Sequence, residues 1–252
     1  MYTATQQNSN CITLKGDASR VTPKFVPISR VATTAATLAT ATSQSQEDVY
    51  LKYLTLSVGA GVVNDLRIGN QSLNVSDSAI DTALFNSATQ RKPLIGIAVN
   101  GNIQMSIDVT TDADGAVTGA FSCEAIDCAP SISEQGPAIN KFFGLGSVSL
   151  TTGASGQLSA QALRNTTLKD LVLSCHDAAE SSKIDVTDIT IKGRSIFSGQ
   201  AGDAVSLDAL LSEAQGFMVG INIPIETNER VVVSLKNNHS GTLVVGGGLY
   251  CD

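Results

Sequence analysis

The sequence has no tryptophan, two histidines and only 15% charged residues over 252 positions. Each scarcity removes a class of function. With no Trp, seven Phe and four Tyr, the chain lacks the ring surface on which sugar clefts stack their ligands. Nucleophilic catalysis needs a base within hydrogen-bond reach of the nucleophile, and only His176 and His239 are on hand. His176 follows Cys175, but neighbours on a strand face opposite sides, so both histidines read as surface residues and no catalytic residue is assigned. Five cysteines, an odd number at spacings that match no zinc pattern, read as reduced and mostly buried thiols. No apolar run approaches the ~18 residues of a membrane span. The polar stretch 1–10 lacks the apolar core of a secretory leader, so the expectation is a chain neither membrane-spanning nor exported by the standard route.

Positive charge is scarce as well. The net charge is −7, which argues for weak or no direct nucleic-acid binding, since phosphate neutralisation needs clustered Lys and Arg. The first 45 residues differ: Lys15, Arg20, Lys24 and Arg30 stand against Asp17 alone. These four cations are the candidate interface residues of an N-terminal arm.

What the sequence does have is a repeat. Lys24-Phe25 recurs as Lys141-Phe142, and Leu51-Lys52-Tyr53-Leu54-Thr55-Leu56-Ser57 as Leu168-Lys169-Asp170-Leu171-Val172-Leu173-Ser174, both 117 positions later. Val63-Asn64-Asp65-Leu66-Arg67-Ile68 returns as Val186-Thr187-Asp188-Ile189-Thr190-Ile191, and Ser72-Leu73 as Ser195-Ile196, at 123. Gly96-Ile97-Ala98-Val99 returns as Gly220-Ile221-Asn222-Ile223 at 124. Offsets that drift in steps are those of loops that gained residues between fixed strands. A period above 100 residues is domain-sized. The expected organisation is an arm over 1–20, one sandwich over 21–130 and a second over 131–252.

Within each half, period-two alternation marks strands: Leu54 to Val58, Asp65 to Ile68, and Ile103, Met105, Ile107 and Val109 on one face of a return strand. Ser76-Asp77-Ser78 before Ala79 to Phe85 predicts a capped short helix, matched by Ser206 to Glu213. Phe217 to Ile223 reads as a strand and Pro224 to Glu229 as a loop. About eight strands per ~115 residues make the fold class all-β, with two tandem antiparallel β-sandwiches of jelly-roll type, each with one short helix.

Chemical motifs are weak. Gly246-Gly247-Gly248 has neither the Lys-Ser/Thr nor the helix of a phosphate loop; the glycines read as close packing of a strand. Asp112-Ala113-Asp114-Gly115 lacks the downstream Glu of a calcium loop and reads as a turn, with weak calcium binding at Asp112 and Asp114 as the alternative. The repeated Asp65 and Asp188 are expected to fix turns through backbone amides. No cofactor is expected.

The duplicated Val-x-Asp-(Leu/Ile)-x-Ile unit, the helix after it and the Gly-Ile-x-(Val/Ile) strand resemble, in their arrangement over residues ~20–252, the double-jelly-roll major capsid proteins of tailless icosahedral viruses. The resemblance implies a non-enzymatic virion protein, of a bacteriophage or related virus, that forms a homotrimer. Six sandwiches then make a pseudo-hexagonal tile, shells assemble in the host cytoplasm, and other virion proteins are possible partners. The alternative from another class is a tandem-sandwich binding module, adhesin or lectin-like and assisted by calcium.

Overall fold

Alternating apolar and polar residues build ten strands in the first half of the chain. They are β1 (Thr13–Leu14), β2 (Lys24–Thr33), β3 (Leu38–Gln44), β4 (Val49–Ser57), β5 (Gly61–Ile68), β6 (Gln71–Ser72), β7 (Ile80–Asp81), β8 (Leu94–Val99), β9 (Gln104–Thr111) and β10 (Gly115–Cys128). The second half holds β11 (Lys141–Leu150), β12 (Ser155–Gln161), β13 (Thr166–Cys175), β14 (Ile184–Ile191), β15 (Arg194–Ser195), β16 (Val205–Ser206), a one-turn helix α1 (Leu207–Leu210), β17 (Ile223–Ile225), β18 (Arg230–Asn237) and β19 (Leu243–Cys251). The computed structural model describes residues 13–14, 24–85, 94–128, 141–196, 204–210 and 221–251.

Strand order repeats between the halves. One sheet of the first half runs β2–β10–β4–β8, with β1 also on β10; the facing sheet runs β3–β9–β5, and β6 and β7 both pair with β5. The second half gives β11–β19–β13–β17 and β12–β18–β14, with β15 and β16 both on β14. All these ladders are antiparallel. In each half the first long strand pairs with the last, and the last with the third long strand. The second long strand pairs with the one before the last, which pairs with the fourth. That is jelly-roll connectivity, so the chain is a double jelly roll.

Each half closes its own core between its two sheets. Val26, Phe121 and Leu54 meet in register across three strands of the first half, and Phe143, Leu249 and Leu171 do so in the second. The alternation that predicted Met105, Ile107 and Val109 as one face holds, with all three buried.

A second device is duplicated. β5 slips register between Val63 and Asp65, and β14 between Val186 and Asp188. The acid after each bulge accepts a hydroxyl hydrogen bond from the next short strand, Ser72 to Asp65 and Ser195 to Asp188, both at 2.5 Å. The Ser195 bond chiefly holds the Asp188 carboxyl below its ordinary range. The repeated acids thus share a hydroxyl partner, to which Asp65 adds Arg67 and Asp188 adds Thr190 and the backbone amide of Ile189.

Two expectations are corrected. Residues 76–85 form no α-helix. Ser76 and Asp77 lie in an irregular stretch, Ile80–Asp81 is strand β7, and Thr82–Phe85 is one turn of 3-10 helix. Pairing of β7 with β5 and burial of Ile80, Asp81, Leu84 and Phe85 override a helical spacing only a few residues long. Of the strand expected over 217–223, residues 217–220 lie outside the described residues, Ile221 and Asn222 are irregular, and Ile223 opens a strand that runs on through Pro224 to Ile225, within the expected loop. Ile97 pairs with Leu51 as Ile223 pairs with Leu168, so the true offset there is 126, not 124. Finally, Thr13–Leu14, within the expected arm, forms a strand on β10.

Candidate functional site: the seam between the halves

A segment of the first half, residues 73–85, lies across the outer face of the β11–β19–β13 sheet. Its edge is stitched by backbone bonds: Phe142 donates to Leu73 O at 2.9 Å, Val75 to Phe142 O at 2.8 Å, and Gly146 to Ala79 O at 2.8 Å. Asn74, 9% exposed, donates to Ser78 O and accepts from Ser76, and the Ser76 hydroxyl donates to Gly144 O at 2.8 Å.

Over the sheet, small residues let the segment come close. A Cβ on Gly144 would stand 2.2 Å from Ala79 O, one on Gly248 3.2 Å from Leu84, and one on Gly246 1.6 Å from Asp81 Oδ2. The glycine run thus packs closely against a neighbour, as its sequence suggested. Beside this stripe Phe142 meets Phe85 edge-on at 5.1 Å and Tyr250 at 5.8 Å. Such pairs contribute about 0.5–1.5 kcal/mol each beyond burial. Phe142 and Val172 therefore belong to the core of the first half although they sit on strands of the second.

At one end of the seam is a charged lock. Asp81 has no solvent exposure; its Oδ2 lies 2.8 Å from His176 Nε2, and its Oδ1 accepts from Ser174 Oγ at 3.0 Å. His176 Nδ1 lies 2.8 Å from Asp112 Oδ2, in the turn between β9 and β10. The His176 side chain is 9% exposed, which corrects its reading as a surface residue. Burial alone would lower its pKa. The hydrogen bonds and charges of Asp81 and Asp112 outweigh burial and raise it above the ordinary histidine value.

Chemically this cluster is a clamp. Both ring nitrogens face carboxylates, an arrangement that favours the doubly protonated ring. It keeps no lone pair with which to take a proton from Ser174, whose hydroxyl is bonded to Asp81 and not to the ring. Cys175, the neighbour of His176, points into the second core, and burial raises its thiol pKa. Cys123 and Cys251 are likewise buried, and no disulfide joins Cys123, Cys175 or Cys251.

The remaining sequence candidates scatter. Asp112 serves His176, while Asp114 Oδ1 accepts from the Ala35 amide at 2.8 Å; the pair occupies a turn, with its carboxylates on different partners. Lys24 pairs with Glu47 at the surface, and Arg30 is exposed on β2. Lys15 and Arg20 lie outside the described residues. Asp81, His176 and Asn74 were missed by sequence reasoning. The legible signal was an acid set between Ile80 and Leu84 in an apolar stretch.

On the same sheet face in the first half, Ala98 and Ile126 are buried beside Tyr50 near β8, but the positions matching the sealed aromatic contact are exposed. Phe25, Ser122 and Tyr53 align across β2, β10 and β4 as Phe142, Tyr250 and Asp170 align across β11, β19 and β13. Phe25 is 68% exposed and Tyr53 38%, whereas Phe142 is 0% exposed.

No protein-family model matches the sequence, and no curated protein matches it. Among solved structures, the chain is similar to the major capsid protein P2 from Bacteriophage PM2, with 11% identity and a TM-score of 0.36 over 91% of this chain and 97% of that one. It is also similar to the STIV MCP, with 11% identity and a TM-score of 0.40 over 90% of this chain and 96% of that one.

Proposed function

We propose that this chain is a structural virion protein, a major capsid protein that self-associates into a homotrimer and then a shell. The observation that carries the reading is the paired state of one surface: the outer sheet face is sealed at its aromatic contact in the second half and exposed at the matching positions, Phe25 among them, in the first. A chain that presents one copy of a face and buries the other has the makings of a head-to-tail contact, which generates rings if it closes and filaments if it does not. Three two-domain chains would supply six near-equivalent sandwiches and a pseudo-hexagonal outline. The low charge suits interfaces that must bury surface without stranding ions. The function is non-enzymatic, and the one buried histidine is spent on holding the halves together.

The test is the mass of the native protein by light scattering across a concentration series, with electron microscopy of the largest species. Trimers and closed shells are the expected result. A chain that stays monomeric at high concentration overturns the proposal.

A further inference from the structure

The open face raises the question of what covers it. We infer that the occupant is a second copy of this chain, seated by its residues 204–210 on the Phe25–Tyr53 face of the first; this rests on the shell reading above.

The register identifies the two partners. Ile80 and Asp81 pair with Val63 and Val62, and Val205 and Ser206 pair with Val186 and Asp185. Residues 204–210 are thus the second-half counterpart of 79–85, the segment that seals the seam within one chain. In the first half this segment is buried, with Ile80, Asp81, Leu84 and Phe85 at 0–1% exposure. In the second half Ala204, Asp208 and Ala209 are exposed, and Val205, Ser206 and Leu210 are half-buried. Among the described residues, each chain therefore has an exposed Phe25–Tyr53 patch with no segment on it, and a partly exposed counterpart of the segment that fills the other face.

The side chains of the two uncovered pieces are matched in size. Inside the chain, large residues of the segment sit over glycine: Leu84 over Gly248 and Asp81 over Gly246. In the first half the ladder puts Ala120 where Gly248 stands and Thr118 where Gly246 stands. The segment that would lie on them carries Ala209 in place of Leu84 and Ser206 in place of Asp81. The sheet has grown where the segment has shrunk. At the aromatic contact, Phe85 on Phe142 becomes Leu210 on Phe25. A reversed volume pattern at successive positions is what close packing demands of two surfaces that meet. Two unrelated solvent-facing surfaces would be free to vary separately.

The charge lock is absent from the second contact. Ser206 replaces Asp81, and the position of His176 falls on Gly59. The contact between chains therefore has no ion pair equivalent to Asp81–His176, and the one carboxylate of the segment, Asp208, stands at the position of Ala83.

The test uses the full chain. Phe25→Cys and Leu210→Cys proteins are prepared separately, mixed, oxidised and compared with wild type on non-reducing gels. A new dimer band in the mixture alone is expected. A band of equal strength from Phe25→Cys alone would mean face-to-face pairing and overturns the inference. So does no new band from a wild-type protein that assembles, and that result leaves the shell reading standing. A wild type that never assembles removes the shell reading and this inference with it. In parallel, Phe25→Asp should weaken association by at least about tenfold, as loss of a central aromatic anchor does. Its melting temperature at low concentration should match wild type, because Phe25 is 68% exposed in the single chain. Unchanged association for Phe25→Asp overturns the inference.

Discussion

Phe25 and Phe142 sit at the same place on the same strand of two copies of one fold. One lies open and the other is sealed under Phe85. The strand pairing beneath them does not differ: both sheets have the same order and nearly the same ladders. What differs is the neighbour. The second half has residues 73–85 lying on it, and the first half has no counterpart within the described residues. Exposure of an aromatic here reports an unfilled position in a repeating arrangement rather than the local quality of the fold. Isolated exposed apolar residues are ordinary; an exposed residue whose internal twin is fully buried is not.

Truncating both rings sharpens that contrast most. Phe142→Ala should cost about 3–5 kcal/mol, the range for a buried aromatic, read as a lower urea midpoint at unchanged slope. Phe25→Ala should stay within about 0.5 kcal/mol in dilute solution, as surface changes do. Equal costs at the two sites would mean that Phe25 is already covered in the single chain.

The two faces also differ beneath the rings, and the next prediction concerns that. Gly246→Ala would place a Cβ 1.6 Å from Asp81 Oδ2, so either the segment moves or the lock opens. A cost of about 1–3 kcal/mol is expected, the range for overpacking. At the equivalent position Thr118→Ala should cost less in the single chain, because Thr118 is only half-buried and no segment among the described residues lies over it as Asp81 lies over Gly246. Thermal melts of both variants at low concentration decide this. A neutral Gly246→Ala would mean that the seam is loose.

How much of this was legible in the sequence follows from what each feature depends on. Strands such as β9 were readable because alternation at Met105, Ile107 and Val109 is local and is fixed by one buried face. The duplication was readable because strands keep their lengths. The segment 76–85 was misread because its apolar spacing fits one helical turn as well as a strand pressed against another domain, and the choice was made by tertiary partners, Val62 and Val63 on β5 and Phe142, Gly246 and Tyr250 on the other half. The lock was invisible for the same reason: Asp81, Asp112 and His176 are brought together only once the halves dock. Gly246 to Gly248 lay between these cases. Their closeness to a neighbour was readable, but not which neighbour.

The smallest effect expected is a pH dependence that only the filled face has. His176 is the titrating group, with Asp81 and Ser174 on one side of it and Asp112 on the other. Its folded pKa is raised, net of burial, by the two carboxylates, so the native state holds the proton to a higher pH than the unfolded chain does. The stability this contributes is complete below the ordinary histidine value of about 6.5. It is lost as pH rises through the raised folded value, since over that window the unfolded state binds fewer protons than the native state. Unfolding midpoints in urea should therefore fall as pH is raised from 6 toward 9, and His176→Gln should lower stability at pH 6 and flatten the slope. The contact between chains has Ser206 and Gly59 at the equivalent positions, so assembly measured over the same range should lack this dependence. A slope that survives His176→Gln would assign the proton to another group and leave the seam with packing alone.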